Sequence, residues 1–420
     1  MMTPSTQPFT VNGRSYRPPA RPVAVICLDG SADEYLDAAL ARGLMPNLQR
    51  LSIQGYRGMA RGAMPSFTNV NNSSIITGVP PSVHGIGGNF FFEKSSGQEV
   101  MMNSSRFLRC DTILAAAARA GRRIGVVTAK EKLRDILAAG LSFDHDTGPV
   151  AFSSEKAKEA KSLTHGVENA ETLVNAPTPA IYSGEASLYV LRAGVAMLRR
   201  DRADFLYLST TDFIQHKHAP TTTGALEFYA GIDRELGHLL ELGAVVGLTA
   251  DHGMNAKQNN DGTPKVVYVE SELVQRFGPG FRVILPITDP YVVHHGALGS
   301  FAVVHLPEGF SESTAVMDFL TSLPGVTEVH AKAHAAVLFE LPEDRMGDLI
   351  IVSGRDTVLG RTPRDHDLKA IEGGLRSHGG RYEEMVPFVM SEPLNAVYAQ
   401  RAAGDVRNFE VFEFALNGGN

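Results

Sequence analysis

The 420-residue chain has no tryptophan, only two cysteines and no run of 18 apolar residues. Each absence excludes something. Cys27 and Cys110 make no metal-ligand motif, and two thiols supply no disulfide framework. Without a long apolar run there is no candidate membrane-spanning helix. The opening MMTPSTQPFTVNGRSYRPP is polar and proline-rich, unlike a signal peptide, so a cytoplasmic location is the expectation. A net charge of −7 supplies no general attraction to nucleic acid or to an anionic membrane, so any anion site must be local. What is present, 43% hydrophobic and 20% charged residues, describes an ordinary globule. The length allows one large α/β unit with an insertion, or two domains.

Short apolar runs alternate with helical patterns. VAVICLDG (23–30), RIGVVTAK (123–130), ADFLYLSTTD (203–212) and AVVGLTADHG (244–253) read as buried strands. TILAAAARAG (112–121), SLYVLRAGVAMLRR (187–200) and ALEFYAGIDRELGHLLEL (225–242) read as helices. This alternation predicts an α/β fold, a mostly parallel sheet sandwiched by helices. The runs FAVVHL (301–306), VTEVHAK (326–332), AVLFELP (336–342) and DLIIVSG (348–354), with a helix-like 311–323, predict a small inserted α+β cap over 265–370. The catalytic core would then be 20–264 and 371–420.

Ligands of such sheets bind beyond the carboxyl ends of the strands. Three of the predicted strands end there in a carboxylate, Asp29, Asp212 and Asp251. One such residue is explained as a helix cap. Three crowded at one edge repel unless a cation holds them. Asp212 and His216 lie four apart, on one face if helical. Alone they also read as a surface pair. Asp251 and His252 are adjacent at a strand end, and His378 lies in a glycine-flanked loop. Carboxylates mixed with imidazoles suit zinc or manganese. In MPSFTNVNNSSIITG (64–78), Thr68 opens a predicted helix whose first turns are crowded with Asn and Ser. The simplest reading of Thr68 is an N-cap.

Taken together, Asp29, Thr68 nine positions before Thr77-Gly78, GVPPSVHGIGGN, Asp212-x-x-x-His216, ADHGM and SHGG resemble the alkaline phosphatase superfamily. The stretch 64–89 is similar to its nucleotide pyrophosphatase/phosphodiesterase branch. The nearest resemblance is to the phosphonoacetate hydrolases, di-zinc members of that superfamily. Where the nucleotide-cleaving branch commonly has Phe-Pro-Asn-His after its nucleophile, this chain has Asn69-Val70-Asn71-Asn72.

The resemblance implies two zinc ions, ahead of manganese. One would be held by Asp212, His216 and His378, the other by Asp29, Asp251, His252 and Thr68. It implies Thr68 as the metal-activated nucleophile at a helix N-terminus, where negative charge is favoured. It makes Asn89 an amide donor to the phosphoryl oxygen, although Asn89 also reads as a turn cap. Lys130 and Lys132 end the strand 123–130, on one side if extended. They would grip a substrate carboxylate, or else form a solvated helix start. Asn89, His216 and His378 complete the implied substrate contacts.

Three functions follow. The first is cleavage of the C–P bond of phosphonoacetate to acetate and phosphate, where the α-carboxylate lets the carbanion leave as an enolate-like species. The second is a phosphodiesterase or nucleotide pyrophosphatase, with Phe90, Phe91 and Phe92 as a base clamp. The third is a non-catalytic metal-dependent phosphate-binding protein. The expected partner is a small phosphonate, with no nucleic acid and no membrane, and a homodimer is left open.

Overall fold

The structure is a computed structural model that describes residues 7–143, 148–288, 296–371 and 373–419. Its first central strand is Val23–Cys27 (β1), fully buried. Ala24 and Ile26 join one hydrophobic cluster while Val23, Val25 and Cys27 join another. Such two-sided burial is what a continuous apolar run demands of a strand.

β1 lies in a seven-stranded sheet with Tyr56–Arg61 (β2), Ile124–Thr128 (β3), Val150–Ser153 (β4), Phe205–Ser209 (β5), Val245–Thr249 (β6) and Met385–Met390 (β7). The order is β2-β7-β6-β1-β5-β3-β4. β6, β1, β5, β3 and β4 run parallel, and β7 is antiparallel to both its neighbours. The mostly parallel sheet is therefore mixed at one side. β7 follows directly from the loop carrying His378 at the carboxyl edge of the parallel strands, with no helical crossover, so it runs back.

Helices Gly184–Arg199 and Thr223–Glu241 cover one face through Tyr189, Val190, Tyr229 and Ile232. Helices Ile113–Arg119, Glu131–Leu137 and Val411–Asn417 cover the other.

Register sets up the site. Cys27 pairs with Thr249 and with Ser209, and Ser209 pairs with Thr128, so four strands end level. Asp29, Asp251 and Lys130 each come two residues past those ends, and Asp212 comes three past. The sheet thus delivers three carboxylates and one ammonium to the same edge.

The chain between these strands and β7 builds a second sheet of four antiparallel strands. Their order is Arg282–Ile284, Phe301–His305, Leu349–Ser353 and Val326–Ala331. Three of the four apolar runs expected there are strands. The fourth, 336–342, begins in the alanine-rich helix Lys332–Leu338 and ends beyond it, alanine favouring helix over strand. This sheet shares one hydrophobic cluster with Ala63, Met64, Phe67 and Val70, the residues around Thr68.

A buried ion pair ties the two parts together. Lys257 Nζ donates to Glu383 Oε1 (2.9 Å), Ser300 Oγ (2.7 Å) and the Arg355 carbonyl (2.8 Å), with neither charged side chain exposed. Breaking one partner of a buried pair leaves an uncompensated charge. Lys257→Met should therefore destabilise the fold by about 3–5 kcal/mol. The Lys257→Met/Glu383→Leu double variant should recover much of that loss in urea unfolding. Equal loss in both would show that packing, not pairing, sets the cost.

Candidate active site

Asp29 and Asp251 are fully buried beyond the ends of β1 and β6. The Asp29 backbone N–H donates to Thr210 Oγ1 (2.9 Å). The Asp251 carboxylate is aimed by three donors, the N–H groups of Gly30 (3.2 Å) and His252 (3.0 Å) on Oδ1 and Asn72 Nδ2 (3.2 Å) on Oδ2. Asp212 precedes the short helix Phe213–Lys217, and its carbonyl accepts from the His216 N–H, which puts both side chains on one face. Gly30 has φ +70°, and a Cβ there would come within 2.8 Å of Asp212 Cβ. His378 arrives on the return loop, next to Gly379 at φ +115°, where a Cβ would run into the Phe67 ring.

The tautomers of the three histidines follow from their partners. Nδ1 of His216 donates to the Arg376 carbonyl (2.7 Å), Nδ1 of His252 to the Gly253 carbonyl (2.9 Å) and Nδ1 of His378 to the Ser66 carbonyl (2.8 Å). A carbonyl only accepts, so each Nδ1 carries hydrogen, and the neutral ring presents a lone pair at Nε2. Those lone pairs face carboxylates. His216 Nε2 is 2.9 Å from Asp212 Oδ2, His378 Nε2 is 3.7 Å from the same oxygen, and His252 Nε2 is 3.2 Å from Asp29 Oδ1. Asp29 Oδ1 is buried and has no hydrogen-bond partner among the described residues. Acceptor facing acceptor at these distances needs a proton or a metal cation between them, and backbone-anchored imidazoles are the usual form of metal-ligating histidine.

The ligand atoms of Asp212, His216 and His378 lie within 4.8 Å of one another, and so do those of Asp29, Asp212 and His252. Asp212 belongs to both groups. Asp251 stands beside the second, with Oδ2 3.8 Å from His252 Nε2. Thr68 Oγ1 is 3.4 Å from the same nitrogen.

Electrostatics are strained in a way a cation relieves. Burial, then Asp212 and Asp251, push the Asp29 carboxyl well above the usual range. Burial opposes ionisation of Asp212 too, but Lys130, His216 and His378 hold it well below. Burial disfavours charge on His252, yet Asp251 and Asp29 push it up to about 10. Burial and the neighbouring His252 push His378 well below its ordinary value. The rings of His252 and His378 stack at 3.5 Å, too close for both to be charged. Left to protons, the cluster keeps them on Asp29 and His252, and a divalent cation is the other way to neutralise it.

Thr68 is not an N-cap. The helix spans Thr68–Thr77 (α1), Phe67 precedes it in extended conformation, and Thr68 is its first residue, with its hydroxyl turned to His252. Asn69 through Thr77 are all buried, and Asn69, Asn71, Asn72 and Ser74 tether the helix to groups outside it. Asn71 accepts from the Ala63 N–H and from Asn408, and Asn69 Nδ2 donates to the Met102 carbonyl. Asn89 Oδ1 accepts from the Asn69 N–H (3.0 Å), leaving its amide nitrogen as the donor end.

Lys130 Nζ lies 3.3 Å from Asp212 Oδ1. The extended lysine pair is not formed, because Glu131–Leu137 (α2) begins between them and Lys132 lies in its first turn. Lys132 nonetheless shares this environment: burial and then Lys130 lower it to about 7, against Asp212 and Asp29. Of the three phenylalanines, Phe91 packs edge-on to Phe107 (5.3 Å), and Phe92 lies against His305 (5.2 Å) and under Arg282 (4.2 Å). Two of the three are thus spent on packing. Sequence reading missed Thr210 and the carbonyls of Ser66, Gly253 and Arg376. A backbone acceptor has no signature in a side-chain pattern.

The chain resembles known proteins over most of its length. A family model described as type I phosphodiesterase / nucleotide pyrophosphatase matches residues 23–380. The structure is similar to phosphonoacetate hydrolase from Sinorhizobium meliloti 1021, solved in complex with phosphonoformate and with phosphonoacetate, at a TM-score of 0.93, with 47% identity over 99% of each chain. Murine ectonucleotide pyrophosphatase/phosphodiesterase 5, at a TM-score of 0.60 and 17% identity over 89% of each chain, shares the fold. Venom phosphodiesterase from Naja atra is 25% identical over 253 residues, 56% of this chain and 26% of that protein. The chain thus spans about a quarter of the length of the curated relatives it matches. The family match begins at β1, which leads to Asp29, and runs past His378, so it takes in both ligand groups, and the chain belongs to the type I phosphodiesterase / nucleotide pyrophosphatase family.

Proposed function

We propose that the chain is a di-metal hydrolase that cleaves the C–P bond of phosphonoacetate to acetate and phosphate. The observation that carries this reading is the pair of lysines beside the acidic cluster, Lys130 3.3 Å from Asp212 with Lys132 in the first turn of α2. A phosphate ester has no need of a carboxylate grip there. Similarity over 99% of both chains to a phosphonoacetate hydrolase solved with phosphonoacetate supports it.

The residues fit two divalent cations, zinc ahead of manganese. Asp212, His216 and His378 would hold one, and Asp29, Asp251, His252 and Thr68 the other, with Asp212 near both. Bound cations would supply Lewis-acid polarisation of the phosphoryl group and favour an ionised hydroxyl. The remaining chemistry belongs to the chain. Thr68 Oγ attacks phosphorus and the P–C bond breaks. Its electron pair moves onto the methylene carbon, delocalised into the carboxylate that Lys130 and Lys132 hold. The carbon takes a proton from water and leaves as acetate. Water then cleaves the phosphothreonine, releasing phosphate and restoring the hydroxyl. Asn89 Nδ2 donates to the phosphoryl oxygen as charge develops. The module over 265–370, packed against Phe67 and Val70, roofs the site and limits leaving-group size.

The second reading, a nucleotide pyrophosphatase or phosphodiesterase, draws on the family match. Its base clamp is left with Phe90 once Phe91 and Phe92 are packed. A non-catalytic phosphate binder has no use for Thr68 beside His252.

Metal uptake should release protons, since Asp29 is raised and His252 is pushed up to about 10. Both folded-state values lie above the ordinary ones; the His252 proton is present at neutral pH and competes with the metal, and the raised Asp29 value adds to that competition in the same direction. Apparent affinity should therefore climb with pH and level off near the His252 value. Calorimetry in buffers of different ionisation enthalpy measures the protons, and elemental analysis should find about two ions per active chain. No proton release, or one ion or fewer, would count against the site.

Thr68→Ala should keep metals and fold but lose most turnover, and Thr68→Ser should retain part of it. Near-parental activity in the alanine variant would make water the nucleophile.

Lys130→Ala or Lys132→Ala should raise KM and lower kcat for phosphonoacetate, costing about 2–4 kcal/mol in kcat/KM, the scale of one lost charge-stabilising donor. Loss on a nitrophenyl phosphodiester, which has no carboxylate to hold, should be far smaller. Equal loss on both substrates, or none on either, would remove the case for phosphonoacetate.

A further inference from the structure

Asn72 makes every hydrogen bond its amide can make. Its Oδ1 accepts from Tyr207 Oη (2.7 Å) and Ser209 Oγ (2.9 Å), both on β5. Its Nδ2 donates to the Thr68 carbonyl (3.0 Å) and to Asp251 Oδ2 (3.2 Å). Two donors on one end and two acceptors on the other leave a single orientation, because an amide turned over would face Asp251 with oxygen. The side chain is fully buried and so has no water to fall back on. It spans three separate pieces of the site: the first turn of α1, the carboxylate two residues past β6, and the side chains near the end of β5.

Among the described residues, neither Tyr207 nor Ser209 reaches the ligand groups through another hydrogen bond, so their bonds to Asn72 serve to aim it. The Thr68 carbonyl cannot shift without pulling the amide, and the amide cannot shift without releasing Asp251. We propose that Asn72 is a positioning residue that locks the Thr68 turn and the Asp251 carboxylate into one rigid unit, so that the metal nearer Thr68 and the nucleophile keep their mutual placement. This rests on the di-metal hydrolase reading.

The test starts from the parent enzyme loaded with zinc and follows metal loss to a chelator, together with steady-state kinetics. Asn72→Asp keeps the acceptor for Tyr207 and Ser209 but removes the donor and sets a carboxylate against Asp251. One zinc should then leave about 10- to 100-fold faster, the usual cost of losing an outer partner of a ligand, while the other leaves at the parental rate. kcat should fall alike on phosphonoacetate and on a nitrophenyl phosphodiester, with KM within about twofold, because a transition-state placement is lost rather than a substrate contact.

Should Asn72→Asp not fold, Tyr207→Phe/Ser209→Ala frees the oxygen end without touching a ligand. It should show the same one-sided loss, severalfold in size. Parental release of both ions from a folded variant would overturn the proposal, as would equal acceleration of both. A parent that holds fewer than two zinc ions would instead overturn the hydrolase reading, and this inference with it.

Discussion

The repulsion among Asp29, Asp212 and Asp251 organises the rest of the site. Parallel strands that end in register force whatever follows them into one small volume, and here three of those followers are acidic. At the dielectric of such a site, like charges a few ångströms apart cost several kcal/mol unless compensated. The compensation is layered. Lys130 faces one oxygen of Asp212, and His216 and His378 face the other. Backbone and amide N–H groups face Asp251. Asp29 Oδ1 is the place where compensation runs short, and its buried oxygen has no hydrogen bond among the described residues. A cluster arranged in this way is neutralised by protons on its members or by a cation between them.

Helix α1 shows what such a site requires of its neighbours. Asn, Ser and Thr are poor helix formers, and a segment of them would not hold a helix in water. Here the helix is held from outside, by Ala63, Met102, Tyr207, Ser209 and Asn408 bonding to its side chains. Local propensity is given up in return for a turn whose place relative to the sheet is fixed by hydrogen bonds with definite directions. Apolar side chains would pack as densely there, but they would not set orientation.

Much of this was legible in the sequence, and the failures have physical causes. Strand alternation and the acidic strand ends identified the edge, since buried parallel strands have a strong apolar signature. Four of the seven strands were read from their apolar runs; β2, β4 and β7 were not anticipated, and MVPFVM shows its direction only through what precedes it in space. Thr68 was placed at a helix start, but the distinction between cap and first helical residue turns on one backbone torsion. The lysines were expected on one face of an extended segment, and α2 starts one residue too early for that. Asp212 was assigned to one ligand group and its oxygens stand near two. Four-residue spacing identifies a helical face and says nothing of which of two neighbouring groups a carboxylate approaches.

The return loop explains how residues far apart in the chain meet at this edge. His378 comes more than a hundred residues after His252, yet their rings stack at 3.5 Å. Chain entropy alone would make that closure costly, though the cost grows only slowly with loop length. The closure is secured at the loop itself. The Ser66 carbonyl accepts from His378, Ser66 Oγ donates to the Gly380 carbonyl, and the Gly380 N–H is held by Glu383, which Lys257 neutralises. Lys257 also bonds Ser300 and Arg355, so the same ammonium grips the inserted sheet. The module and the His378 loop are therefore anchored by one charge pair. Cations that join His378 to Asp212 would draw on that anchoring, and by linkage would return it as stability of the whole assembly.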